Sequence, residues 1–230
     1  MTTRPLFIPK SEEIGVEEKM IEFQWFPGFA ASQKKKSIAS FHESAKRLGF
    51  KSLLEISSKS EDSLGIKLSA FNLTITTKKN NTTFSVESAF QGSKVFERGG
   101  PYKDLFLKSS LEAKRDIRLK ESGDLVGFEF FGKNFPAVPR TFFYDWIYIN
   151  ALVQNECLCE EVVNYDGFSD IEFNPKKSIN CQAHAVALFL SIKKNDALSE
   201  ALSSPDKFLS LCEKHYDNQR RNVRVQSTFI

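Results

Sequence analysis

Glu87, Gln91 and Lys94 are the residues of this sequence best suited to chemistry. They follow one another at intervals of four and three within SVESAFQGSKVF, and on an α-helix that spacing stacks their side chains on one face. Phe90 falls on the same flank, while Val86, Ala89 and Val95 offer an apolar side to a core. A carboxylate here could stabilise developing positive charge or activate water. An amine beside it could hold an anion, or attack a carbonyl once desolvated. The pattern also has a plain explanation: a helix dipole favours an acid in the first turn, and a polar stripe on a surface helix needs no function.

The surrounding elements follow from composition and punctuation. Ser85 opens a helix that runs through Phe96, and Gly99, Gly100 and Pro101 close it. An earlier helix is capped by Ser32, carries Ile38, Phe41, Ala45 and Leu48 at helical spacing, and ends at Gly49. Between Ser52 and Thr77 the runs SLLEIS, IKLSAF and LTITT read as strands, with a turn from Lys78 to Asn81. Further helical pieces are expected at Lys103 to Lys108, Ser110 to Arg115, Thr141 to Gln154, Cys157 to Asn164, Ala183 to Lys193 and Pro205 to His215. LVGFEFFG reads as a strand, NVRVQSTFI as a tail or edge strand, and the segment up to Pro27 as an aromatic-rich extended lead-in. The expected class is α+β, a predominantly helical single domain with a small β-sheet.

Bulk properties exclude several functions. With 41% hydrophobic residues and 22 Phe among 230, the chain can bury a substantial core. A net charge of +3 is too small for a non-specific nucleic-acid coat. Cys157, Cys159, Cys181 and Cys212 have no CxxC spacing and the three histidines lie outside any zinc pattern, so no metal is expected and the thiols read as reduced core residues. No glycine-rich phosphate loop or dinucleotide fingerprint occurs, so no cofactor is expected. The first residues lack the apolar run of a signal peptide, and no segment approaches the roughly 18 apolar residues of a membrane span, which makes the cytoplasm the expected location.

Four stretches in order resemble the NADAR family. Glu87, Phe90, Gln91, Lys94 and Phe96 match its Glu-His-Tyr-Phe-Gln-Ala-Gln-Lys-Phe helix, with Ser88, Ala89 and Ser93 replacing family residues. KLSAFNLTI keeps the Ser69 and Phe71 of its strand entry, and SSLEAKRDIR keeps Ser109, Ala113 and Arg118. YDGFSD keeps Asp166 and Phe168, and KKSIN stands in for the basic approach to the last core helix. The family's Trp before a long helix falls near Arg140 to Phe143, where Phe142 is the nearest substitute and Trp146 reads as core. The whole pattern is most similar to the NADAR branch found as antitoxin beside DarT-type toxins, which attach ADP-ribose to guanine in DNA.

That resemblance implies a NADAR-like catalytic core over 66–195, an N-terminal extension packed on it over 1–65, and a C-terminal helix and tail over 196–230. It implies hydrolysis of the N-glycosidic bond between ribose C1 and an exocyclic guanine nitrogen, with Glu87, Lys94 and Asp166 catalytic. Asp166 also fits an Asx-type turn before Gly167. Ser69, Phe71, Asn72, Phe90, Gln91, Arg118, Lys176, Lys177 and Asn180 are the expected substrate contacts. The partners implied are ADP-ribosylated DNA, the ADP-ribose product and a DarT-type toxin. Two other functions fit the same resemblance: an N-glycosidase for a small metabolite such as a riboflavin-pathway intermediate, and a non-catalytic antitoxin that binds the toxin or the modified DNA.

Overall fold

The computed structural model describes residues 1–28, 30–176 and 178–219; Lys177 and the expected tail strand lie outside them. The chain opens with a hairpin, β1 (Thr2–Pro9) and β2 (Val16–Phe23), followed by α1 (Ala31–Arg47) and β3 (Leu53–Glu55). Next come α2 (Ser63–Lys67), β4 (Thr74–Thr76), β5 (Thr83–Ser85), α3 (Val86–Gly92) and β6 (Lys94–Phe96). A 3-10 turn at Lys103–Leu107 leads to α4 (Ser110–Arg115), α5 (Arg118–Glu121) and the hairpin β7 (Leu125–Phe130) and β8 (Lys133–Pro136). The remainder is α6 (Phe142–Val153), α7 (Glu156–Val162), β9 (Gly167–Ser169), α8 (Gln182–Lys194), α9 (Leu198–Ala201), α10 (Pro205–Leu211) and α11 (Glu213–Asp217).

The mixed α+β class is as expected, but the strands form three small sheets. The largest has the order β2-β1-β9-β3, the others being β4-β5 and β6-β7-β8. The lead-in is therefore a hairpin built into the main sheet: β1 lies between β2 and β9 and pairs with β9 at Phe7 and Phe168. Strands β3 and β9 run parallel, pairing Leu53 to Glu55 with Gly167 to Ser169. Their carboxyl ends thus lie side by side, and in parallel arrangements that end is where ligands are commonly taken.

Helix α8 forms the centre of the molecule. Every residue from Ala183 to Ile192 is buried, because the helix packs against α6 as well as the main sheet. Much of the phenylalanine content fills the space beyond α6, where Phe143 meets Phe128 at 4.5 Å and Phe135 at 4.8 Å between ring centres. Of the cysteines, Cys181 and Cys212 are buried, whereas Cys157 is exposed and Cys159 half-buried. Helix α1 begins at Ala31, so Ser32 lies in its first turn, and Gly49 at φ +99° supplies the left-handed residue after its end. No helix among the described residues is long and apolar enough to cross a membrane.

The helix expected from Ser85 to Phe96 stops at Gly92. Ser93 Oγ donates back to Ala89 O at 2.7 Å, and from Lys94 the chain becomes a strand paired with β7. Lys94 thus leaves the face shared by Glu87 and Gln91. The expected strand around Ile66 is also replaced by a helix: α2 presses Gly65 so close to β3 that a Cβ there would come within 1.9 Å of Glu55 O. Gly65→Ala should lose about 1–3 kcal/mol through this overpacking. A lower urea midpoint at unchanged m would show it, and an unchanged midpoint would show that the contact is not constrained.

Candidate active site

A hydrogen-bonded frame fixes the start of α3. Ser85 caps the helix by accepting from Ser88 N at 3.0 Å, and Ser88 Oγ donates to Lys108 O at 3.0 Å. Ser110 Oγ at the start of α4 lies 2.7 Å from Ser85 Oγ and 2.9 Å from Phe71 O. The amides of Val86 and Glu87 donate to Leu73 O and Ala70 O, each at 2.9 Å. Gln182, at the first position of α8, accepts from Ala70 N at 2.8 Å and donates to Ile56 O at 2.6 Å. Three stretches far apart in sequence are thereby held against one another.

They enclose a cavity of about 310 Å³. One wall is Ser69, Ala70 and Phe71; another is Glu87, Phe90 and Gln91 of α3. Lys114 of α4 and Tyr144 of α6 close two sides. The segment after β9 contributes Asp170, Glu172, Phe173 and Asn180.

Three polar atoms of residues lining this space, Ser69 Oγ, Gln91 Oε1 and Asn180 Oδ1, are buried without a hydrogen-bond partner among the described residues. Buried polar groups are ordinarily satisfied, and each orphan costs about 1–3 kcal/mol. Three such atoms around one cavity are points at which a ligand or ordered water would find hydrogen-bond partners.

Glu87 is only 6% exposed. Its Oε1 accepts from Gln91 Nε2 at 2.9 Å and lies 3.9 Å from Lys114 Nζ, which also sits 5.1 Å from the centre of the Phe71 ring. Asp170 is 9% exposed, and Oδ1 accepts from the amides of Glu172 and Phe173 at 3.0 and 3.2 Å. Burial, followed by the charge of Glu55, pushes its carboxyl up to about 8.

Lys94 lies beside the cavity. It is absent from the lining, but its Nζ is 4.7 Å from the centre of the Phe90 ring. Burial lowers its amine to about 8, while the charge of Glu87 pulls in the opposite direction.

The structure thus brings together Glu87, Gln91, Phe90, Ser69, Phe71 and Asn180, with Lys94 alongside. It does not bring Asp166, which stands exposed at the opposite end of β9 and accepts from the amides of Lys51 and Ser52 at 3.3 and 3.1 Å. A three-residue strand separates it from Asp170, about 13 Å of extended chain from one aspartate to the other. Asn72 is exposed and turns away, donating to Ile66 O at 2.8 Å. Arg118 stacks over Tyr102 at 4.4 Å and is bound by Asp104 and Asp116 at 2.7 and 2.8 Å, so a phosphate would compete with two carboxylates. Lys176 is exposed outside the lining.

The residues that sequence reasoning missed are Asp170, Lys114, Gln182 and Tyr144. Asp170 and Lys114 sat inside the stretches that carried the resemblance. Tyr144 is the aromatic at the cavity near the expected Trp position, since Phe142 is buried against Phe135 and Phe208 and Trp146 packs on Phe208.

Residues 2–222 match the family described as the DarT1-associated NADAR antitoxin. The chain belongs to that family. A search of curated proteins returns no match. The match spans the N-terminal hairpin as well as the helices around the cavity, in keeping with the place of β1 inside the main sheet.

The lowered amine of Lys94 has a consequence for stability. Between about 8 and the ordinary lysine value near 10.5, the unfolded chain binds the proton and the folded chain does not, so stability rises with pH across that window. Lys94→Met should be more stable than wild type at pH 7, by about 1–3 kcal/mol, and should lose most of the rise between pH 8 and 10. Denaturant unfolding at the two pH values checks both effects, and equal slopes would contradict the buried charge.

Proposed function

We propose that this NADAR protein is the antitoxin of a DarT-type toxin and acts in the cytoplasm by hydrolysing the N-glycosidic bond that joins ADP-ribose to guanine in DNA. The observation that carries this reading is the presence of two buried carboxyls in different surroundings, Glu87 with Lys114 Nζ 3.9 Å away and Asp170 pushed upward by burial, in one cavity edged by unsatisfied polar atoms. Environments that set two acids apart are how one site supplies both an acid and a base.

In the reaction, the bond between ribose C1 and the exocyclic nitrogen breaks and its electron pair leaves with the nitrogen. Asp170 donates the proton that makes this a neutral leaving group. Water bonds to C1, its proton passes to Glu87, and the charge developing on the ribose is met by the Glu87 carboxylate. Lys114 Nζ stands 3.9 Å from that carboxylate. Gln91 orients it from one turn away, and its free Oε1, with Ser69 Oγ and Asn180 Oδ1, receives substrate hydroxyls or amines.

The cavity has room for the reacting ribose and the edge of its base, so the remainder of a long substrate extends from the mouth past Phe71 and Lys114. Phe71 offers a ring to stack on, whereas Phe90 is held between Phe128, Tyr144 and the Lys94 amine and serves as wall. Extrusion of the modified base from the stack is what a site of this depth requires.

Lys94 has two chemical roles open to it: a charged neighbour to an anion, or a neutral amine that attacks an opened ribose. Borohydride added during turnover separates them, a trapped Lys94 adduct assigning the second role and a clean protein the first.

Glu87→Gln and Asp170→Asn should each bind ADP-ribose yet release it from an ADP-ribosylated guanine oligonucleotide about 10²- to 10⁴-fold more slowly, as followed by the mass of the DNA. Asp166→Asn should retain nearly full turnover. Undiminished hydrolysis by both cavity variants would sink the assignment. Toxin rescue by a hydrolytically dead Glu87→Gln would favour a binding antitoxin.

A further inference from the structure

Behind Asp170, outside the catalytic set, lies a second acid. Glu55, the last residue of β3, is 3% exposed and has no ion-pair partner among the described residues. Its two oxygens are held by the residues on either side of Asp170: Ser169 Oγ donates to Oε2 at 2.5 Å, and Ile171 N donates to Oε1 at 2.8 Å. The amide of Ile56 donates to Ser169 O at 2.8 Å, so the same strand end grips this segment twice. Ser169 Oγ in turn lies 2.9 Å from His42 Nε2 of α1. Burial, helped by Lys46, lowers that imidazole to about 4, so it donates a hydrogen bond without bringing positive charge.

We propose that Glu55 is the positioning residue of this site: a second buried acid that grips both neighbours of Asp170, it sets the placement of the carboxyl that Asp170 presents to the cavity and couples to it. The hydrogen bonds decide which acid of the pair holds the proton. Both oxygens of Glu55 are occupied as acceptors, which favours its ionised form. Among the described residues Asp170 Oδ2 meets only a long thiol contact from Cys181 at 3.9 Å, leaving it the better seat for the proton. Two carboxyls in one low-dielectric region do not both ionise. Burial raises both, and the charge of Glu55 is the second cause for Asp170. The other titratable groups facing Asp170 are Glu172 in its own loop, Cys181 before α8, and Tyr144 and Tyr148 of α6. Burial raises both tyrosines, so neither supplies a charge near neutrality.

The use made of this proton rests on the hydrolase reading, but the coupling itself does not, and the test keeps the two apart. Side-chain carboxyl NMR of the full chain labelled at aspartate, with the signal assigned by its loss in Asp170→Asn, gives the Asp170 midpoint directly. In Glu55→Gln the midpoint should fall by about 1 pH unit or more, because a like charge has been removed. The alkaline limb of kcat/KM on the modified oligonucleotide should move to lower pH by the same amount. A purely structural role would lower the rate without moving the limb. Should Glu55→Gln fail to fold, Ser169→Ala serves: it deletes a donor to ionised Glu55 and should lower the Asp170 midpoint by a smaller step. An unmoved midpoint in a folded variant overturns the proposal. Absence of hydrolysis by the wild type would overturn the hydrolase reading, and the shift or constancy of the Asp170 midpoint would still decide the coupling to Glu55.

Discussion

The parallel pairing of β3 with β9 is the constraint on which the site depends. It sets Glu55 and Ser169 at the same end of adjacent strands and delivers Asp170 immediately beyond. Three hydrogen bonds from this strand pair, two to Glu55 and one from Ile56, fix the Asp170 segment before any ligand arrives. The N-terminal hairpin lines the other edge of β9 and excludes water from it, with Leu6, Phe7 and Phe168 fully buried. Burial of this strand pair is what makes a carboxyl at its end expensive to ionise.

Against this fixed edge, α3 and its serine frame bring a second buried carboxyl. Glu87 begins a short helix whose cap, Ser85, is tied to α4 through Ser110, and α4 returns Lys114 to the Glu87 side chain. The orphaned atoms of Ser69, Gln91 and Asn180 are tolerated because the folding of the surrounding elements over-determines them. A rigid frame that leaves donors and acceptors unpaired gives up stability in exchange for readiness to bind.

Much of this was legible in the sequence wherever the signal was local. The helix at α6, the β4-β5 turn and the end of α1 at Gly49 followed from periodicity and turn chemistry, as did Ser85 as a helix start. The resemblance carried Glu87, Gln91, Phe90, Ser69 and Asn180 to one cavity. What escaped was set by tertiary contacts. The helix end at Gly92 depends on β6 joining β7, and the ring of Phe106, which a Cβ at Gly92 would meet at 2.5 Å, keeps that position a glycine. The choice between Asp166 and Asp170 depends on which end of a three-residue strand faces the cavity, and periodicity in YDGFSD does not encode that direction. Glu55 gave no signal at all, since its partners are more than a hundred residues away.

A crystal structure of Glu87→Gln with ADP-ribose bound tests the central claim most directly. The reacting ribose should enter the cavity with its C1 facing position 87 and Asp170, and Ser69 Oγ, Gln91 Oε1 and Asn180 Oδ1 should acquire partners on the ligand. ADP-ribose bound elsewhere, with those three atoms still unpaired, would contradict the claim.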